Sequence, residues 1–524
     1  MAMVFLSYLL AIALALACFA LPVVLLWALP FGPQLNLVFM RLLLSAFGLV
    51  AGVTILSSLV PPKDQQEING VRIDLEKEKR LAKEIETIAE ALREPMPSDV
   101  YLIGDANAFV SERKERKGIG RRRILALGLP LLQMLTIAQF RAVLAHEFAH
   151  YYSGDTRLGP WVYKARRSLM RVYENLGKNS KVLLFLRRWG IVAVVFRLLM
   201  GGLRIYWQVF MRITQAISRR QEIRSDELAC YVAGSTPLIE GLESIERCAA
   251  VLNPYWNTVV FPLAANGFQP PLGDGFSLFM HAPRIEKATE EFLAKRGAEA
   301  KTSSMDTHPP LKVRVERARS YNLPAPESDG AAGRTDLPMV SVIDDLGALE
   351  GGLLKRYLPN LAQTELKPLD WEKAGDEFYI PKWRKQVEGV AGVLSTKTLA
   401  EFPGMVMDPR FLYPMAPNQQ GKRLNHVQFN AWATNVLYSA FALCLLDHDW
   451  KLYSQPGAFY VERGEHKVDP GEVIASIKDG KLLLLEWGPY CTERGIGGWP
   501  LASPADKPAE ESQPACSLTD IPGQ

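Results

Sequence analysis

Cysteine is sparse in this chain. The six present, Cys18, Cys230, Cys248, Cys444, Cys491 and Cys516, are scattered over 524 residues without a C-x-x-C pair. That usage argues against a disulfide framework and suits a reducing compartment. Charge of one sign is also lacking: 60 Lys and Arg against 56 Asp and Glu leave a net +4 and a pI near 8.6. So mild a balance gives no case for a nucleic-acid partner, and attraction to anionic lipid accounts for the basic excess. Neither an internal repeat nor a glycine-rich phosphate loop is present.

Long apolar runs, by contrast, are abundant at the amino terminus. Residues 4–29 and 35–60 each exceed the ~20 residues needed to span a bilayer, and Arg41 is their single charge. A cleaved signal peptide is the rival reading of the first, but it has no basic leader and a second run follows at once. The A-L-A-C run ending at Cys18 resembles a lipoprotein box only weakly and is set aside for the same reason. Lys63, Arg72, Lys77, Lys79, Arg80 and Lys83 follow the second run, whereas the turn between the runs, residues 30–36, has no basic residue. The positive-inside rule then puts the amino terminus and the helix around residues 146–150 on the cytoplasmic side.

Histidine is scarcer than its role suggests, with 7 in the chain, yet two fall in the pentapeptide HEFAH, His146 to His150. A random H-E-x-x-H is expected only about 0.01 times in a chain of this composition. On a helix the two imidazoles at i and i+4 share a face and can grip one Zn²⁺, with Glu147 placed to act on the metal's water. The helix itself is predicted by a Thr136/Gln139 capping box, by Phe140, Leu144, Phe148 and Tyr151 on one side, and by Gly154 as a stop. Just upstream, residues 121–130 read as a short strand bounded by Gly128 and Pro130, placed to hold substrate by strand addition.

A catalytic zinc needs a third protein ligand and an open fourth position. In SRRQEIRSDELAC, Glu222 and Asp226 again stand at i and i+4. Glu222 can complete a His₂Glu set, and Asp226 can accept a hydrogen bond from a ligand imidazole. The competing reading is a charged helix surface, because Arg219, Arg220 and Arg224 lie within salt-bridge reach. The other histidines, His281, His426, His448 and His466, have no ligand spacing and are read as structural or exposed.

Between His150 and Glu222, 72 residues apart, lies the apolar segment 181–214. Both residues must reach one ion, so the chain can cross a bilayer only an even number of times in this interval. Two crossings need about 40 residues and a turn, more than the segment offers. With Arg187, Arg188, Arg197, Arg204 and Arg212 spread through it and Gly201-Gly202 near its centre, it reads as a membrane-surface helix or a shallow hairpin.

Several motifs now occur in a fixed order: DANAFV (Asp105 to Val110), the strand at Ile124 to Leu129, VLAHEFAH, E-I-R-S-D (Glu222 to Asp226) and THPP (Thr307 to Pro310). Over about residues 70–320 the chain resembles the membrane zinc metallopeptidases of the CAAX-prenyl-protease and HtpX type, a gluzincin family. The resemblance implies one Zn²⁺ per chain held by His146, His150 and Glu222, with Glu147 as general base. It also implies an edge strand near the substrate at Asn107 and an oxyanion-stabilising role for His308. Read from the residues alone, Asn107 can instead form a turn with Asp105, and His308 can simply lead into a helix at residues 310–319.

The expected architecture is α+β and mainly helical. A transmembrane hairpin (1–62) precedes a zincin-like metallopeptidase domain (63–325, with 181–214 membrane-associated), in which residues 75–93 form an amphipathic helix. A polar linker at residues 328–336 leads to a small α+β module (340–502) and a disordered tail (503–524). In the module, residues 429–446 are expected as a buried helix, and a hairpin is expected around Asp479-Gly480. The expected function is membrane-bound endopeptidase activity on polypeptide substrates in membrane-protein quality control, at a bacterial inner membrane with the site facing the cytoplasm. A maturation peptidase with one defined substrate is the alternative. A zinc-stabilised scaffold is a third reading, and Glu147 argues against it because a purely structural site has no use for a base.

Overall fold

The computed structural model describes residues 2–28, 35–59, 68–114, 121–152, 190–299, 309–325, 335–361, 364–419, 422–482 and 484–502, with single positions between 165 and 174. The first two helices, α1 (Ala2–Ala28) and α2 (Leu35–Leu59), lie against each other. Gly48 and Gly52, one turn apart on α2, permit that approach. A Cβ at Gly48 would sit 2.5 Å from the Cys18 carbonyl oxygen, and one at Gly52 would sit 2.8 Å from the Phe19 ring.

The half of the chain that carries HEFAH is built on a four-stranded sheet. Its strands are β1 (Gly70–Ile73), β2 (Asp99–Ile103), β3 (Ala108–Lys114) and β4 (Arg121–Gly128), in the order β1-β2-β4-β3. β2 and β4 run parallel, whereas β1 and β3 are antiparallel to their neighbours. The strand expected at residues 121–130 is therefore internal. Both of its edges are already paired, and strand addition there is excluded; the edge strand beside it is β3, which begins one residue after Asn107, and β1 forms the opposite edge. The amphipathic helix α3 runs Lys79–Ala91, four residues shorter at its start than the periodicity suggested, and buries Leu81, Ile85 and Ile88. After a short α4 (Leu129–Met134), the chain enters α5 (Ile137–Tyr152), which carries HEFAH.

The next described helix, α6 (Gly190–Ala233), is the largest departure from expectation. It is one unbroken helix of 44 residues, roughly 66 Å long at 1.5 Å per residue. The shallow hairpin is corrected: Gly201 and Gly202 lie inside the helix. Two helical glycines cost only about 1 kcal/mol each, too little to break a long helix that packs on α1 and α2 further along. Residues 181–189 of the segment lie outside the described residues. Phe210 and Met211 of α6 join Ala11, Ala15, Leu44, Ala51 and Ile55 of α1 and α2 in one buried cluster. The outer faces stay apolar and open, with Leu42 65%, Leu198 73% and Ile205 64% exposed.

Beyond α6 come α7 (Ser235–Tyr255), α8 (Leu272–His281), α9 (Pro283–Glu299), α10 (Leu311–Tyr321) and α11 (Leu346–Tyr357). The core around the sheet and α5 does not end with α10. It also takes in Met339, Leu353, Leu354, Trp371 and Phe378. A second core begins at α12 (Ile380–Glu388) and centres on α13 (His426–Leu446), which is opened by an Asn425/Gln428 capping box. Among the described residues α13 is the one helix long and apolar enough to cross a bilayer, but 61% of its most apolar stretch is buried. It is the buried helix expected there. The described apolar stretches of α1 and α2, Tyr8–Val24 and Leu44–Ser57, are shorter.

Strands β5 (Lys451–Gln455), β6 (Ala458–Arg463) and β7 (His466–Val468) form an antiparallel meander beside α13. The hairpin expected at Asp479-Gly480 is absent. Those residues end α14 (Pro470–Lys478), with Gly480 at φ +69°, and the following leucine run forms α15 (Leu484–Arg494). Trp487 and Cys491, at i and i+4, are buried while Leu485 is 88% exposed, a helical rather than an alternating pattern. Residues 503–524 lie outside the described residues.

Candidate metal centre and active site

Helix α5 is fixed at both ends and along its length before any ligand is considered. At its start Thr136 Oγ1 accepts from the Gln139 amide N–H (3.2 Å), and Gln139 Oε1 accepts from the Thr136 N–H (3.1 Å), the expected capping box. Phe140, Leu144 and Phe148 are buried in the core. Arg141 grips Glu84 of α3 with two bonds, at 2.6 and 3.1 Å. Near the far end the Arg123 guanidinium of β4 stacks 4.4 Å over the Tyr151 ring and pairs with Glu94 at 2.8 Å. Gly154, expected as the stop, lies outside the described residues.

On this frame the structure brings together the three residues expected as ligands. His146 Nε2 lies 3.5 Å from Glu222 Oε2, and His150 Nε2 lies 3.6 Å from Glu222 Oε1. One ligand atom from each residue falls within 4.8 Å of the other two. Tetrahedral zinc with bonds of 2.0–2.1 Å separates adjacent donors by about 3.3 Å, so the two imidazoles and the carboxylate fit such an ion with little rearrangement. Two nitrogens and one carboxylate oxygen are also the donor chemistry that zinc accepts.

The outer nitrogen of each ring is held as well. His146 Nδ1 donates to Asp226 Oδ1 at 2.9 Å, the partner expected from the sequence, and His150 Nδ1 lies 3.1 Å from Ser225 Oγ. Both rings thus turn Nε2 toward Glu222. Ser225 was not singled out by sequence reasoning, although its place at i+3 from Glu222 puts it on the same face of α6. Arg314 of α10 was also missed. Its Nε and Nη2 grip Asp226 Oδ2 and Oδ1 at 2.8 and 2.6 Å.

The charge balance favours a cation at this point. Burial opposes a proton on His146, yet the hydrogen bonds to Asp226 and Glu222 outweigh burial and the nearby Arg314, raising its pKa to about 9. Burial alone would raise Asp226, but the Arg314 and His146 hydrogen bonds hold it below the ordinary carboxylate value. A metal entering such a site displaces protons from its ligands.

Glu147 is half-buried beside His146. Asn107 is exposed at the turn into β3, where its backbone presses on Gly128: a Cβ there would meet Asp105 O at 2.1 Å and Asn107 O at 2.7 Å. His308 lies outside the described residues; the chain resumes at Pro309, and Pro310 caps α10. His281 bonds the Ser277 carbonyl in its own helix, His448, two residues past the end of α13, bonds the Cys444 carbonyl, and neither they nor His426 and His466 join a cluster of possible ligands among the described residues.

An HExxH helix packed against a second helix that bears a carboxylate is the arrangement of a metallopeptidase site. Residues 75–322, just under half of the chain, match Peptidase family M48. It is 27% identical over 221 residues to Protease HtpX of Pasteurella multocida, covering 40% of this chain and 70% of that protein. It is 28% identical over 192 residues to Protease HtpX of Xylella fastidiosa, covering 36% and 63%. A third relative, Protease HtpX of Histophilus somni, is 26% identical over 239 residues, covering 43% and 76%. No solved structure matches.

Proposed function

We propose that this chain is a membrane-anchored zinc endopeptidase, with His146, His150 and Glu222 as metal ligands, Asp226 holding His146, and Glu147 as general base. The observation that carries the reading is the convergence of the two Nε2 atoms and the Glu222 carboxylate while Asp226 and Ser225 occupy the opposite ring nitrogens. The chemistry that zinc supplies there when bound is Lewis-acid activation of water and of the scissile carbonyl. Glu147 takes the water's proton and returns it to the leaving amine. A substrate segment pairs with the free edge of β3, positioned by the turn at Asn107, and His308 donates to the developing oxyanion.

The apolar outer faces of α1, α2 and α6 support anchoring in a bilayer, and the basic residues after α2 support a cytoplasmic site at a bacterial inner membrane. A site so placed meets exposed loops and ends of membrane proteins, which fits quality control. The test is cleavage of an unfolded protein by the detergent-purified chain beside Glu147→Gln. The variant is expected to keep its zinc and lose turnover on the order of 10²–10⁴-fold. Undiminished turnover would remove Glu147 from the mechanism, and cleavage by neither protein would point to a maturation peptidase with one substrate.

A further inference from the structure

Arg314 has no part in the mechanism so far, yet it is the most deeply committed cation near the site. Its side chain is 11% exposed, and its fork closes on an Asp226 carboxylate that is 2% exposed. Asp226 Oδ1 is shared: it receives Arg314 Nη2 at 2.6 Å and His146 Nδ1 at 2.9 Å. Nη2 also lies 3.4 Å from Nδ1 and 3.5 Å from Nε2 of His146. Nearly equal distances to both ring nitrogens align it with neither lone pair. Three helices therefore meet through one carboxylate: α10 supplies the fork, α6 the carboxylate and α5 the imidazole.

We infer that Arg314 is a positioning residue for the metal centre, acting through Asp226 to hold His146 with Nε2 presented to the ion. The inference rests on the metallopeptidase reading above and deepens it. A buried aspartate that must steer a ligand imidazole needs to be ionised and fixed in direction. The bidentate fork does both, because its positive charge stabilises the carboxylate anion and leaves Oδ1 one geometry in which to accept the hydrogen bond from Nδ1. A lysine matches the charge but is a point donor that cannot hold both oxygens in a plane. The fork also ties α10, which begins three residues after His308, to the ligand helix α6.

The test uses full-length protein in detergent, with zinc affinity measured by chelator competition alongside kcat and KM. Arg314→Met and Arg314→Lys are each expected to weaken zinc binding 10–100-fold and to lower kcat with KM little changed. The lysine variant, which keeps the charge, preserves a measurable folded protein if the methionine variant does not fold. In the double variant with Asp226→Asn, loss of zinc affinity is expected to match Asp226→Asn alone, since both residues act through the same His146 contact. Wild-type zinc affinity in folded Arg314→Lys, or fully additive losses in the double variant, would overturn the inference. His146→Ala separates the two levels: if that variant binds zinc as the wild type does, the metal site itself is wrongly assigned and not merely its support.

Discussion

At the residue scale the centre is a set of short, directional contacts, and those carried by one helix were readable in advance. His146 and His150 at i and i+4 on α5, and Glu222 and Asp226 at i and i+4 on α6, follow from helical geometry once each helix is granted. Arg314 was not readable, because no period connects it to Asp226, 88 residues earlier. Glu350 of α11 is a second buried group of this kind. It accepts from the Leu272 and Gly273 N–H groups at 3.0 and 2.7 Å, closing the start of α8, and burial raises its pKa to about 7. The folded protein thus holds this proton more tightly than the unfolded chain. Its contribution to stability is complete below about pH 4.5, declines as pH rises toward 7, and is lost above that. The span is on the order of 3 kcal/mol, so thermal unfolding followed from pH 5 to 8 is expected to show a fall that Glu350→Gln flattens. A slope unchanged in the variant would assign the pH dependence elsewhere.

At the scale of elements, strand order decides which strand has an edge open to pairing. The leucine-rich strand before the HEFAH helix has the composition proposed for a substrate strand, but it is internal, and the edge beside it belongs to the more polar β3. Such an assignment depends on strand order, which local composition does not encode. Gly128 joins the two features, because the turn at Asp105 to Asn107 packs where a side chain would otherwise be. Gly128→Ala is expected to push that turn outward, costing about 1–3 kcal/mol as an overpacking change. Because the ligands stand on α5 and α6, zinc content should be kept while KM for unfolded protein rises. Unchanged KM at unchanged stability would remove the turn from substrate binding.

At the scale of the whole molecule, composition and packing divide the chain differently. The polar stretch at residues 328–336 looks like a linker, yet the chain beyond it returns to the catalytic core through Met339, Leu353, Leu354, Trp371 and Phe378. The second core begins only at Trp383. A fragment ending at residue 325 is therefore expected to expose the sheet-side core and to be degraded or aggregate in detergent, whereas one ending at residue 379 keeps that core covered. Limited proteolysis and zinc content of the two fragments check this. A stable, zinc-loaded short fragment would show that the added residues are dispensable.

By itself the sequence determined what is local: the HEFAH histidine pair and its capped helix, the carboxylate face of α6, the amphipathic α3, the buried helix α13 and the apolar amino terminus. Each is written in spacings of three or four residues or in runs of one composition, which neighbouring side chains on a single element enforce. Only the tertiary structure decided that α6 runs unbroken through two glycines, that β3 rather than β4 offers an edge, that the leucine run after Gly480 is a helix, and that Arg314 closes on Asp226. These depend on which distant surfaces meet, and that is set by burying the whole chain's apolar area at once, which no short window of sequence contains.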